Sequence, residues 1–280
     1  MKKLLPVLIC VALLTGCRAD MSAENNTTGN NSVSTTISDS TTTEPTAKAV
    51  AGIESLSPKK VIWGPGKIEN HEQPAEPVRL NKDYFDLNAQ WLLDDEKSVC
   101  LTFDEGYENG YTPSILDTLK EKQVQAVFFV TYDFAKDNPK LIQRMLDEGH
   151  IVGNHSYRHY SMDELDTATA KEEIEFLHKY IKDNYNYTMS YFRFPKGEFS
   201  EKSLAIAQSL GYKSVFWSYA YADWDPSQQP DEAQALAAIC EGTHPGEIML
   251  LHAVSKTNAA VLGRVIDDVR RQGYTFSVSL

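Results

Sequence analysis

Ser98-Val99-Cys100-Leu101-Thr102-Phe103-Asp104-Glu105-Gly106 is the stretch that decides the fold. Its centre, Val99–Phe103, is a short apolar run with the β-branched and aromatic content of a strand buried on both faces. Two adjacent carboxylates end it. Comparable runs recur at Ala126–Val130, His150–Gly153, Tyr191–Phe194, Ser214–Trp217, Ile248–Leu251 and Tyr274–Val278. Helix signals lie between them. Thr112-Pro113 and Asn138-Pro139 each place a proline at a first helical position. Gly149 stops the helix that follows Pro139. Thr167–Tyr185 is a long amphipathic segment, Ser200–Leu210 ends at Gly211, and Asn258–Gln272 ends at Gly273.

Strand–helix alternation of this kind predicts an α/β fold with a parallel sheet. A barrel and an open doubly wound sheet both fit the alternation. Asp104, His155, Arg193 and His252 each stand at, or just after, the C-terminal end of a strand-like run. In a parallel barrel those ends converge on one mouth, whereas an open sheet feeds its ligand site from fewer strands. The expectation is therefore an incomplete (β/α) barrel over residues 98–280. Ile62 to Leu93 carry Pro, Gly and Trp with weak periodicity, and residues 55–97 read as an irregular N-terminal wrap.

The chain of 280 residues is long enough for one large core, and 42% hydrophobic with 24% charged residues is ordinary for a globular protein. A formal net charge of −12 argues against nucleic acid as a partner. The first residues are Met-Lys-Lys, followed by an apolar run from Leu4 to Leu14. This is a secretory signal pattern, too short to span a bilayer. Leu14-Thr15-Gly16-Cys17 resembles a lipoprotein cleavage site. It implies removal of residues 1–16, a lipid on Cys17, and a chain anchored to the outer face of a bacterial cytoplasmic membrane. A plain signal peptide with an incidental cysteine is the alternative. Residues 17–54 read as a flexible tether, because 17 of the 25 residues from Ser22 to Thr46 are Ser, Thr or Asn. Its reach is roughly 30–35 Å. Cys100 and Cys240 are read as separate thiols, since Cys100 lies within a strand-like run.

His155 and His159, four apart, could share one face of a helix and reach one metal. Such pairs also occur on solvated surfaces, so the spacing alone leaves this open. Asp104 and Glu105 strengthen it. If the chain turns at the strand end, both carboxylates face the mouth, where a cation relieves their repulsion. Trp63, Trp91 and Trp217 read as packing residues, and Trp224 as the best sugar platform. His150, His178 and His244 read as structural or surface residues.

Five motifs in order carry a resemblance: Thr102-Phe103-Asp104-Glu105-Gly106, His155-Ser156-x-x-His159, Arg193-Phe194-Pro195-Lys196-Gly197, Asp223-Trp224 and Leu250-Leu251-His252. Together they resemble the NodB-homology polysaccharide deacetylases, carbohydrate esterase family 4. The resemblance implies Asp104 as general base, Glu105, His155 and His159 as metal ligands, and His252 as the acid that protonates the leaving amine. It implies that Arg193 pairs with Asp104, that Asp223 orients His252, and that the backbone N–H of Lys196 meets the oxyanion. Two imidazoles and one carboxylate with an open position suit Zn2+, with Co2+ or Mn2+ as alternatives.

Two positions depart from the usual pattern. Glu105 stands where an Asp is common, and Ala220 where the fourth motif often has an Asp. Asn70-His71-Glu72-x-Pro74 and the run from Gly106 to Thr112 resemble the PdaA-type branch. That branch removes acetyl groups from N-acetylmuramic acid on the way to muramic δ-lactam in spore cortex. Lys196, with Arg158 beside it, would meet the lactyl carboxylate of that sugar. The expected partners are peptidoglycan glycan strands and, through the lipid, the membrane; a monomer is expected. The rivals are a deacetylase of the same fold acting on N-acetylglucosamine, chitooligosaccharides or xylan, and an inactive wall-binding lipoprotein.

Overall fold

A computed structural model describes residues 52–280. The signal sequence, Cys17 and the Ser/Thr/Asn-rich stretch lie outside the described residues. In chain order the strands are β1 (Val61–Ile62), β2 (Ala89–Gln90), β3 (Ser98–Glu105), β4 (Val127–Val130), β5 (Ile151–Asn154), β6 (Tyr191–Phe192), β7 (Glu198–Phe199), β8 (Lys213–Val215), β9 (Ile248–His252) and β10 (Thr275–Phe276). Helices Thr112–Lys122, Tyr132–Asp137, Pro139–Asp147, Thr167–Tyr185, Glu201–Ser209, Glu232–Gly242 and Lys256–Arg271 alternate with the strands from β3 onward.

The sheet runs in parallel through β9, β3, β4, β5, β6 and β8. It curls back on itself, and one parallel bridge, Tyr219 to Met249, joins its two ends. The contact between β5 and β6 is a single residue pair, Asn154 with Phe192. This is the expected incomplete (β/α) barrel. Its long strand, β3, is buried along its whole length and pairs with both β4 and β9. Phe103 stacks on Phe128 inside it at 5.1 Å. The parallel register sets Asp104 beside Phe129 on β4 and His252 on β9. Every strand end that carries a candidate site residue therefore opens on one mouth.

The helices form where the sequence punctuates them. Pro139 opens Pro139–Asp147. Asp166 accepts the amide of Thr169 to cap Thr167–Tyr185, and Ser200 and Ser203 make a reciprocal capping box. Among the described residues the two thiols, Cys100 and Cys240, are free, the first buried and the second half-buried.

The wrap is more regular than its sequence suggests. It contains helix Ala75–Asp83, and β2 adds to the sheet beside β8. Ile53 is already buried in the core. Trp91, fully buried, stacks on Phe216 with ring centres 4.3 Å apart and planes 4° from parallel. That contact fastens the wrap to the barrel. Replacing Trp91 by Ala is expected to cost about 3–5 kcal/mol in urea unfolding followed by circular dichroism. Trp224→Ala, at a ring that is 60% exposed, is expected to change stability by less than about 0.5 kcal/mol. Equal losses would show that Trp91 does not anchor the wrap.

Candidate functional site

Arg193 follows β6 and is fully buried. Its Nε donates to the carbonyl of Val215 (3.0 Å) and Nη2 to that of Phe216 (3.0 Å). Nη1 donates to Thr102 Oγ1 (2.6 Å) and to Asp104 Oδ1 (2.9 Å). The guanidinium lies 4.1 Å over the Phe129 ring. Burial by itself would raise the Asp104 carboxyl. The charges of Arg193, His155 and His252 outweigh burial and hold it below the ordinary range. Asp104 is thus an ionised acceptor at the mouth of the barrel.

His155 and His159 meet, but not on a helix. Both lie in the loop after β5. Ser156 and His159 adopt left-handed backbone, with φ of 73° and 58°. Asn154 Oδ1 accepts the amide of Ser156 (2.9 Å), and Ser156 Oγ accepts that of His159 (2.9 Å). This folded turn brings the two Nε2 atoms to 3.2 Å. His155 donates Nδ1–H to the carbonyl of Arg193 (2.9 Å), which leaves its Nε2 lone pair facing the mouth. Burial lowers the pKa of His155, and burial with the neighbouring His155 pushes His159 down to about 3. Asp104 Oδ2 is 3.6 Å from His155 Nε2.

The structure differs from expectation at Glu105. β3 continues through Glu105 without turning, so successive side chains still point to opposite faces. The Glu105 side chain is fully buried beside Thr112, whose Oγ1 donates to Oε1 at 3.5 Å, and Oε2 has no partner. Burial, with Glu108 and Asp104 nearby, raises its carboxyl well above the usual range. Among the described residues no three His, Cys, Asp or Glu side chains are arranged to hold a metal. The histidine pair does fit one. Two ligands of a tetrahedral ion at bonds of about 2.0–2.1 Å stand about 3.3–3.4 Å apart. The structure thus brings His155 and His159 together and leaves the Glu105 carboxylate outside the cavity that they line.

On the other side of the mouth, Asp223 Oδ1 accepts from His252 Nδ1 at 2.7 Å, and Oδ2 accepts the backbone amide of His252 at 2.8 Å. Burial opposes a charged His252, and the Asp223 carboxylate outweighs burial, so its pKa lies above the ordinary histidine value. Between the two halves is a cavity of about 670 Å³ whose lining includes Asp104, His155, His159, Lys196, Trp224 and His252. Trp224 stands edge-on to His252, with ring centres 6.4 Å apart. Lys196 turns through left-handed backbone (φ 59°) and makes no ion pair among the described residues. Arg158 also lines the cavity, but its charge is committed to Glu172 and Glu173, each at 3.1 Å. Its guanidinium stacks on Tyr157 at 4.2 Å.

Two residues of the site, Asp133 and Asn258, carried no motif signal, whereas Tyr107 stood in the Gly106–Thr112 run. Tyr107, 53% exposed, lines the cavity after β3. Asp133 lines it near the start of Tyr132–Asp137. Asn258 lies behind Asp223 and donates to its Oδ2 at 2.6 Å.

Comparison with known proteins agrees with this geometry. A family model described as polysaccharide deacetylase matches residues 93–215. Peptidoglycan-N-acetylmuramic acid deacetylase PdaA of Bacillus subtilis (strain 168) is 42% identical over 235 residues, 82% of this chain and 88% of that protein. Peptidoglycan-N-acetylglucosamine deacetylase PgdA of Listeria monocytogenes is 33% identical over 64% of this chain and 37% of that protein. The structure of Bacillus subtilis PdaA, a family 4 carbohydrate esterase, superposes with a TM-score of 0.76 at 40% identity, covering 79% of this chain and 96% of that one. The chain belongs to the polysaccharide deacetylases, carbohydrate esterase family 4.

Proposed function

We propose that this chain removes the acetyl group from N-acetylmuramic acid in peptidoglycan. The observation that carries the reading is Lys196, a cation on the cavity wall without a carboxylate partner among the described residues. N-Acetylmuramic acid differs from N-acetylglucosamine by a lactyl carboxylate. The charge of Arg158 is already neutralised, so Lys196 is the residue assigned to that group. The alignment with PdaA is too long to be confined to residues 98–280, so it takes in the wrap as well.

In the mechanism Asp104, held ionised by Arg193, accepts a proton from the attacking water through Oδ2. The oxygen adds to the acetyl carbon, and the backbone N–H of Lys196 meets the oxyanion. His252, oriented by Asp223, gives the Nε2 proton to the nitrogen as the C–N bond breaks. Acetate and a free amine leave, and the proton on Asp104 returns to His252 through solvent. Trp224 offers the sugar an apolar face. A divalent ion, zinc by donor type, would be held by His155 and His159 and would supply Lewis-acid polarisation of the acetyl oxygen. This reading extends to the muramic δ-lactam route and, through the Leu14–Cys17 motif, to a lipid-anchored enzyme facing the cell wall.

Two outcomes are expected. Lys196→Ala should lower kcat/KM on muramoyl substrates by about 10–100-fold, the value of a lost charge-assisted hydrogen bond, with little change on glucosaminyl substrates. Mass spectrometry of digested glycan reads this directly, and equal losses on both sugars would reject the assignment. Chelation should abolish acetate release, and zinc should restore it. In metal analysis His159→Ala should lose zinc while Glu105→Gln retains it. Loss from both variants would return Glu105 to the ligand set.

A further inference from the structure

We infer that Asn258, backed by Tyr221, is a positioning residue for the His252–Asp223 pair. The inference rests on the reading above, in which His252 protonates the leaving amine. Asp223 is almost fully buried, and so is Asn258. Asp223 has two carboxylate oxygens to fill. Oδ1 holds His252 Nδ1–H (2.7 Å), and Oδ2 accepts the His252 backbone amide (2.8 Å) and Asn258 Nδ2 (2.6 Å). Asn258 Nδ2 also reaches the carbonyl of His252 at 3.1 Å. Both of those partners are pure acceptors, so the amide orientation is fixed: nitrogen toward Asp223, oxygen away from it. The oxygen, Oδ1, accepts the hydroxyl of Tyr221.

Asn258 thus touches both halves of the pair and neither the cavity nor any reacting atom. Its own place is fixed by the start of Lys256–Arg271. Ser255 Oγ caps that helix by accepting the amide of Asn258 at 3.0 Å. The chain that carries Asp223 is tied to the same helix start. Ser255 Oγ bonds Gln229 Oε1, and Gln229 Nε2 donates to the carbonyls of Asp223 (3.0 Å) and Asp225 (2.8 Å). The first turn of one helix therefore sets where Asp223 sits and which oxygen it shows to His252. Without the Asn258 donor, Asp223 keeps only its two bonds to His252 itself, and the direction of His252 Nε2 toward the mouth is held less tightly. Asp at position 258 would set a carboxylate against a carboxylate. A leucine would leave Oδ2 short of a donor.

The test uses the full chain with its metal content measured and its fold checked by thermal melting. Two acyl substrates are compared. An N-acetyl sugar needs a proton on its leaving nitrogen; 4-nitrophenyl acetate does not, because its leaving group is a stable anion at neutral pH. In Asn258→Ala, kcat on the N-acetyl sugar should fall about tenfold with KM unchanged, the size of one lost hydrogen bond to a charged group. Ester hydrolysis should fall much less. Tyr221→Phe, which removes one hydroxyl and keeps the ring, should show the same split at about threefold and serves if Asn258→Ala does not fold. In a 15N-labelled chain the His252 Nδ1–H resonance should be sharp and far downfield, and should broaden or vanish in both variants. Equal losses on amide and ester, or an unchanged His252 resonance, would overturn the inference. A lost resonance in a chain whose wild type releases no acetate would instead overturn the deacetylase reading and leave the positioning role standing.

Discussion

A buried guanidinium is the constraint on which this structure turns. Arg193 is fully enclosed, and an enclosed charge is tolerable only when paired and fully hydrogen-bonded. Its donors go to β3 through Thr102 and Asp104, and to the chain after β6 and β8 through Val215 and Phe216. Thr102 Oγ1 passes its own proton to the carbonyl of Met249 on β9 at 2.7 Å. One side chain therefore crosses the barrel and satisfies acceptors on several walls. The β5–β6 seam beside it has only one residue pair, supplemented by the Arg193 backbone N–H donating to the carbonyl of Asn154 at 2.9 Å.

The same atoms set the chemistry. Arg193 keeps Asp104 ionised, and the Arg193 carbonyl takes Nδ1–H of His155. Asp104 and His155 are thus referred to one residue. The His252–Asp223 pair is referred to a second support, the helix start at Ser255 and Asn258. The two supports meet on adjacent strands, where Asp104 and His252 are register partners and Thr102 bonds the carbonyl of Met249.

The strands, the long helices and the order of the motifs were legible because each rests on local signals: buried apolar runs, proline at a helix start, glycine at a helix end. What was not legible rests on tertiary context. The His155–His159 spacing suggested a helix. Left-handed backbone at Ser156 and His159 achieves the same convergence in a loop, and no i, i+4 rule reports that. Glu105 looked poised to face the mouth because its neighbour does. Whether a strand ends at residue 104 or 105 decides the matter, and strand ends are not written in side-chain type. Helix Glu232–Gly242 was hidden by its apolar, alanine-rich composition, which shows little amphipathic contrast. Asn258 gave no signal, since an asparagine near a helix start usually reads as a cap or a surface residue.

The wrap matters beyond covering the core, because it holds the loop that presents Lys196. A left-handed lysine costs about 1–3 kcal/mol unless its surroundings impose it. Here they do. β1 pairs antiparallel with β7, immediately after the loop, and Trp63 donates its backbone N–H to the carbonyl of Gly197 at 2.9 Å. The Trp63 indole N–H donates to the carbonyl of Trp217 at 3.0 Å, so the same residue also grips the cavity wall. Gly197 (φ 69°) is obligatory in this arrangement: a Cβ there would lie 2.9 Å from the Trp63 carbonyl and 2.9 Å from the Trp217 ring. Lys196 is thereby forced through a turn that the isolated sequence Pro195-Lys196-Gly197 would not favour, and its side chain is delivered to the cavity. Selectivity among sugars, if it resides in Lys196, is set by residues of the wrap that contact no sugar.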